Sequence, residues 1–512
     1  MTAATDLAAQ PWFFCGIGGS GMLPLAMILK GLGAEVAGSD RSRDQGRTPE
    51  KFAWLEAQGF KLSPQDGSGI ASADQVLVAS AAIEDTVPEM IRAKELGNRR
   101  LSRAELNAAL FNAAPVSIGI AGTSGKSTVT GMLGWIMHSA GRAPTVMNGA
   151  VMKNFVSPDV PFASAVVGKG DVYVSEVDES DGSIALYTPT VAVLLNVSLD
   201  HKSMDELRVL FGNFLRASEH VAVNADDPEA LALVAFRPSP LAGEGGERSE
   251  PGEGSAAPAA AVAAGPSPSA PSALPPLPQG ERAIVTFGID NPSATISASG
   301  FSDTATSLSA TITANGTSHQ LELAMPGRHN LANALAAIAG AHAAGVPVAD
   351  AVAALAGFKG LARRFDILGT SPSGVTVIDD FGHNPEKCRA TLRTLKAHPG
   401  RVIAFFQPHG YGPLKQMGRE LAQTFANELG SDDVTIFCRP VYFGGTTDRS
   451  IGSEQVVSWI DEAGGHAEYV PEREECGRRI LAIVRPGDRI VVMGARDDTL
   501  TTFAQGILER LA

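Results

Sequence analysis

Short apolar runs recur along the chain, with amphipathic segments between them. In residues 1–114 the runs are "WFFCGIGG", "AEVAGSD" and "DQVLVAS". Alternation of strand and helix in this order predicts a mostly parallel sheet. A second stretch opens with "APVSIGI", which is short, apolar and β-branched; it leads into "GIAGTSGKST" and then into "STVTGMLGWIMHSAG", which has helical periodicity. Further along, "AIVTFGI", "ATISASGF", "SLSATITANG" and "SHQLELAMPG" alternate like short antiparallel strands and predict a small sheet flanking this second region. A third stretch repeats the first pattern, with the apolar runs "GVTVIDDFGHNP", "RVIAFFQPHG", "DVTIFCRP" and "DRIVVMGA" separated by helical segments. The fold class is therefore α/β in three domains, at 1–114, 115–366 and 367–512.

One segment breaks the pattern. From Pro238 to Arg282 the chain is dense in Pro, Ala, Gly and Ser and nearly devoid of aromatic or β-branched residues. Such a composition buries too little apolar surface to offset its ordering entropy, so it predicts a disordered surface insertion. The Ala-rich run at 334–357 is interrupted by His342, Pro347 and Asp350 and reads as packed helices rather than a membrane span.

The 512 residues carry a formal charge of −14, which argues against a nucleic-acid or anionic-membrane partner. An anionic ligand must then be met by local cations. Cys15, Cys388, Cys438 and Cys476 have no C-x-x-C spacing and read as reduced thiols. With an N-terminus that lacks a basic start and apolar core, they predict a cytoplasmic protein.

The chemistry concentrates at strand ends. In "GIAGTSGKST" a glycine turn joins a strand to a helix N-terminus, the arrangement that cradles a phosphate, although Ile120 stands where a standard Walker A loop has glycine. Lys126 would bring a point charge to outer phosphates, and the Ser127 hydroxyl could reach a magnesium ion. "GIGGSG" at 16–21, with Asp40 closing the next strand, fits a dinucleotide or a nucleotide-sugar diphosphate, and NAD is a rival on this motif alone. "DVYVSEVDESDGS" supplies a metal-binding carboxylate, for which Glu176, Asp178, Glu179 and Asp181 compete on spacing. "VAVLLNVSLDH" releases Asp200 and His201 at its carboxyl end, where His201 could ligate a metal or orient a phosphate. Arg328, His329 and Asn330 stand at a helix start, where Asn330 can read a base edge or cap the helix. Arg363 and Arg364 can neutralise a transferring phosphoryl group. Asp379, Asp380, His383 and His409 follow apolar strands in the last region.

Taken in order, "GIGGSGM", "GSD", "SAAIEDTVPE", "GTSGKST", "SEVDESDGS", "NVSLDH", "PGRHNLANALAA", "RRF", "DDFGHNP" and "FQPHGY" resemble the Mur ligases of peptidoglycan synthesis, above all their alanine-adding branch. The resemblance spans nearly the whole chain apart from the Pro/Ala insertion. It implies a Rossmann-like UDP-binding domain, a central P-loop ATPase and a Rossmann-like C-terminal domain that closes over the site. It also implies ATP and Mg²⁺, and amide formation between the lactyl carboxylate of UDP-N-acetylmuramate and L-alanine through an acyl phosphate. By the same resemblance Lys126 grips the β- and γ-phosphates within the loop of Gly122, Thr123, Ser124, Gly125 and Thr128. Ser127 and Glu176 hold one Mg²⁺, and His201 lies near a second metal. Asn330 reads adenine and Arg364 reaches the γ-phosphate, while Asp380 and His383 come from the closing domain. Gly16, Gly18, Gly21 and Asp40 contact the UDP part, with Ser80 near the diphosphate and His409 on the substrate side.

Several positions depart from that pattern. Ser124 and Asn384 replace histidines, and Gly410 and Pro413 stand where the alanine branch carries arginines. Arg496 replaces a glycine and could take over anion binding. Phe211 falls where other branches carry a carbamylated lysine, an absence the alanine branch shares. A different amino acid or a recycled peptide as the amine, and a catalytically idle nucleotide-sugar-binding homologue, are the alternatives.

Overall fold

The structure is a computed structural model that describes residues 7–80, 83–199, 202–235, 283–441, 448–495, 497 and 499–512. The insertion at 238–282, His201 and Arg496 lie outside the described residues.

The first sheet holds β1 (Trp12–Cys15), β2 (Val36–Ser39), β3 (Lys61–Ser63), β4 (Val76–Ala79) and β5 (Arg100–Ser102), all parallel in the order β3-β2-β1-β4-β5. Strand order reverses between β1 and β4, so a crevice opens at their carboxyl ends. The 16–21 turn leaves β1 there and enters the helix Met22–Gly31.

The second sheet has ten strands: β6 (Val116–Ala121), β7 (Thr145–Met147), β8 (Ala165–Val166), β9 (Val172–Glu176), β10 (Val191–Leu194), β11 (His220–Asn224), β12 (Ile284–Gly288), β13 (Ile296–Asp303), β14 (Leu308–Ala314) and β15 (Thr317–Leu323). Their order is β15-β14-β13-β12-β11-β10-β6-β9-β7-β8. Of the four runs expected to form a small antiparallel flanking sheet, β13–β15 pair antiparallel among themselves, but β12 does not, and all four extend the main sheet instead of forming a separate one. Strand β12 pairs parallel with both β11 and β13, so this part continues the parallel run as one sheet. In β14 the buried positions alternate, Leu308, Ala310, Ile312 and Ala314, as in a strand with one covered face. By contrast β6 is buried from Ser117 to Ala121, the signature of a parallel strand covered on both faces.

The third sheet runs β16-β17-β21-β18-β19-β20, built from β16 (Asp366–Thr370), β17 (Thr376–Asp380), β18 (Val402–Gln407), β19 (Val434–Phe437), β20 (Ala467–Tyr469) and β21 (Arg489–Gly494). Only the edge strand β16 is antiparallel to its neighbour.

The cores show how these bodies are joined. One apolar cluster runs from Trp12, Leu25 and Phe111 beside the first sheet into Tyr187, Phe211 and Phe214 beside the second. Phe111 stacks edge-on against Tyr173 and Tyr187, at 5.9 and 5.3 Å between ring centroids. Phe211 is fully buried in this cluster. The two clusters of the third sheet contain no described residue before Phe365. The first two bodies therefore share a core, and the third has its own. Among the described residues no helix is long and apolar enough to cross a membrane.

Candidate active site

The turn between β6 and the helix Lys126–Ser139 is shaped by two glycines with positive φ. Gly122 has φ 138° and Gly125 has φ 90°. A Cβ on Gly125 would come within 2.6 Å of Asn333 Oδ1, and one on Gly122 within 3.0 Å of the Leu195 Cβ. Only glycine satisfies both the dihedral and the space. Asn196, just past β10, fixes the turn: its Oδ1 accepts from Thr123 Oγ1 at 2.8 Å and from the Ser124 N–H at 2.9 Å, and its Nδ2 donates to Ser124 O at 3.1 Å.

The four competing carboxylates separate cleanly. Glu176, at the end of β9, accepts from Ser127 Oγ at 2.7 Å. Glu179 accepts from Lys126 Nζ at 2.8 Å, and the same ammonium donates to Gly122 O at 2.7 Å. Asp178 and Asp181 instead accept from the Ser180 and Ser183 backbone N–H groups and shape their own loop. Asp178 also lies 3.7 Å from Arg103.

Arg363 to Phe365 join the second body to the third. Arg363 and Phe365 both have left-handed backbones, φ 61° and 49°. Arg363 donates to Gly494 O at 2.7 Å and pairs with the buried Asp379 at 3.5 Å. Thr501 Oγ1 also donates to Asp379, whose carboxyl burial pushes up against the pull of Arg363. Asp380 is fully employed: it accepts from Phe365 N–H, Gly382 N–H and Thr391 Oγ1 at 2.8, 2.8 and 3.0 Å. Arg364 reaches back into the second body, donating to Ser127 Oγ at 3.4 Å with its guanidinium 4.5 Å from the Phe381 ring. Burial draws its pKa down from the ordinary arginine value, opposed by Asp380 and Glu176.

His383 packs edge-on to Phe381 and, at 5.0 Å, to His409. Its Nδ1 lies 2.8 Å from Phe381 O, so the ring proton sits on Nδ1 and donates, leaving Nε2 as an acceptor. Burial and the nearby Lys387 lower its pKa to about 3. The neighbouring Asn384 caps the helix Pro385–Lys396, accepting from Lys387 N–H at 2.9 Å. The capping preference of asparagine accounts for its presence where the related motif has histidine. Glu386, the second residue of that helix, accepts from Ser124 Oγ at 3.2 Å and ties the third body to the phosphate turn.

On the first body, Asp40 accepts from Gly18 N–H at 2.9 Å and Ser42 N–H at 2.8 Å. One oxygen thus braces the glycine turn, and the other caps the short helix Arg41–Asp44. Gly16 has φ 80°, and a Cβ on Gly21 would lie 2.5 Å from Arg103 Nη1. Ser80 closes β4 beside this turn.

Two cavities meet at this junction. One, of about 370 Å³, is lined by Thr123 to Thr128, Asn330, Arg364 and Asp380. The other, of about 730 Å³, lies between all three bodies and is lined by Gly18, Lys51, Gly149, Arg364 and Arg473 among others. Arg364 is common to both linings. Gly16, Gly21, Asp40, Ser80, His383 and His409 are not among the residues that line either cavity. Asn330 is nearly buried and donates to Pro326 O at 2.7 Å, while its Oδ1 accepts from Asn333. Sequence reasoning missed Asn196, Asn333, Glu386 and Lys387. Asn196 and Asn333 were within motifs already singled out, one after a strand and the other one helical turn past Asn330.

Known proteins show the same organisation. Models of the Mur ligase family match in chain order: the catalytic domain at 13–114, the middle domain at 120–240 and 276–341, and the glutamate ligase domain at 363–496. The UDP-N-acetylmuramate–L-alanine ligase of Synechococcus sp. is 33% identical over 95% of this chain and 84% of its own length. Its counterpart in Streptomyces avermitilis is 32% identical over 98% and 97%. In fold, the chain is similar to the UDP-N-acetylmuramate-alanine ligase of Thermotoga maritima, with TM-score 0.74 and 23% identity over 98% and 99% of the two chains. A murein peptide ligase of Psychrobacter arcticus follows, with TM-score 0.66 and 22% identity over 98% of each. With family models matched in all three bodies and relatives above 30% identical over nearly the whole chain, the chain belongs to the Mur ligase family.

Proposed function

We propose that this protein is an ATP-dependent ligase that joins L-alanine to the lactyl carboxylate of UDP-N-acetylmuramate, in peptidoglycan precursor synthesis. The observation that carries the reading is Arg364, shared by the two cavities and in contact with Ser127. ATP in the smaller cavity and the nucleotide sugar in the larger one would meet at that guanidinium. The relatives that support the choice of substrates are those named for this reaction. The cytoplasm is the compartment that goes with them.

A carboxylate is a poor acyl donor until one oxygen becomes part of a leaving group. Its oxygen bonds to the γ-phosphorus, the bridging P–O bond breaks and ADP leaves; the alanine amine then attacks the acyl carbon and phosphate departs. The residues supply charge and position. Lys126 exchanges Glu179 for the outer phosphates, the turn N–H groups that Asn196 does not hold donate to phosphate oxygens, and Arg364 neutralises the group in transit. Ser127 and Glu176 offer two hard oxygens 2.7 Å apart, a donor set that fits Mg²⁺, which usually takes one or two protein carboxylates and completes its shell from phosphates and water. When bound, that ion neutralises triphosphate charge. His383, neutral with Nε2 free of a proton, packs against Phe381, a residue in the wall of the larger cavity. We place the domain limits at 114/115 and 366/367, and each cavity is lined from more than one body.

The test is incubation with ATP, UDP-N-acetylmuramate and single amino acids, with products weighed and phosphate counted. Alanine should give one ADP and one phosphate per adduct, and a silent response to alanine would end the assignment. Lys126→Ala should lower ADP formation by at least about 10²-fold, as expected for loss of a phosphate-gripping charge.

A further inference from the structure

The larger cavity is strongly cationic in a chain whose net charge is −14. Five basic residues line it, Lys51, Arg363, Arg364, Arg473 and Arg510, against the acidic pair Glu50 and Glu474. Most of these cations are already engaged. Arg363 serves Asp379 and Gly494 O, and Arg364 serves Ser127. Arg473 pairs with Asp497 at 2.9 Å, and Lys51 donates to Gly18 O at 3.4 Å. Arg510 differs. It is exposed, follows directly on the helix Thr499–Glu509 of the third body, and its guanidinium has no partner among the described residues.

Across the same cavity stand Gly18 and Ser20 of the glycine turn on the first body. In that turn the Gly16, Ile17, Gly18 and Gly19 N–H groups are taken up within the first body, so what it turns toward the cavity at Ser20 is the positive end of the helix Met22–Gly31. The cavity thus sets that turn against a cation delivered by a different domain. At about 730 Å³ it has room for a ligand that spans from the turn to Arg364.

We propose that Arg510 is a binding residue for the diphosphate of the nucleotide sugar, contributed by the third domain across the cleft. The inference rests on the reading of the substrate given above. It adds that the third domain recognises the nucleotide sugar itself as well as the nucleotide and the amine. A guanidinium can hold a phosphate through two parallel hydrogen bonds, and a residue on the moving domain makes that hold depend on closure. Substrate occupancy would then favour the closed arrangement.

Steady-state kinetics on Arg510→Ala, Arg510→Glu and Arg510→Lys test it. Arg510→Ala should raise KM for UDP-N-acetylmuramate about tenfold, with KM for ATP and alanine and kcat within about twofold of the parent. Arg510→Glu should raise it further, and Arg510→Lys should restore part of the loss. Added salt should raise that KM more steeply in the parent than in Arg510→Ala. An unchanged nucleotide-sugar KM, or a rise in the alanine KM instead, overturns the proposal. Calorimetric titration with UDP alone separates this outcome from failure of the substrate reading. If the parent binds UDP and Arg510→Ala binds it about tenfold more weakly, the contact stands whatever the amine proves to be. Equal UDP affinity in parent and variant removes it.

Discussion

Lys126 brings a full charge into a turn of otherwise neutral groups, and in the free protein Glu179 answers it at 2.8 Å. Glu179 is nearly buried, so the pair is partly shielded from water and its exchange for phosphate is one anion for another. His383 illustrates the converse, a group kept uncharged by its surroundings. Its native pKa of about 3 lies below the ordinary 6.5. Between these values the unfolded chain takes up a proton that the native chain refuses, so stability is fully present above 6.5 and falls as pH drops through the window. His383→Gln should flatten the loss of urea midpoint between about pH 7 and about pH 5, by up to about 1 kcal/mol per pH unit. Identical slopes in parent and variant would show that another group carries the titration. Among single residues, Lys126 and Ser127 were legible as the start of a helix behind a glycine turn, and the four carboxylates at and after the end of β9 only as a group. Which of four carboxylates met which partner was not, because spacing along a loop does not say which way a side chain turns.

At the scale of elements, the helix Pro385–Lys396 does the joining. Its first turns carry Glu386, Lys387 and Thr391 into the smaller cavity. Its start depends on Asn384, which accepts the Lys387 N–H. Asn384→Ala should cost about 1 kcal/mol of stability and raise KM for ATP more than KM for alanine, measured by urea titration and initial rates. A drop in stability with no change in the ATP KM would confine Asn384 to folding. The strands were the most legible elements, since apolar runs such as "RVIAFFQPHG" and "DRIVVMGA" have few other uses. The continuity of β12 with β11 was hidden, because the alternation in "AIVTFGI" is the same whether its neighbour runs parallel or antiparallel. Pairings such as Ser124 with Glu386, 262 positions apart, have no local signature at all.

At the scale of the molecule, two bodies share a core and the third does not. Phe111 sits at the seam of the first two, against Tyr173 and Tyr187. Phe111→Ala should cost about 3–5 kcal/mol and separate the unfolding of the first domain from that of the second, read as two calorimetric transitions instead of one. A single unbroken transition would mean that the seam is held elsewhere. The third body meets the rest through polar contacts such as Lys153 with Asp366 at 2.7 Å and Glu386 with Ser124.

Arg363 and Phe365 hold backbones that non-glycine residues adopt at a cost of roughly 1–2 kcal/mol each. Placed at the crossing into the last domain, they keep that costly turn because Asp379 and Gly494 O hold the Arg363 guanidinium and Asp380 holds the Phe365 N–H, so the crossing is as firm as those contacts.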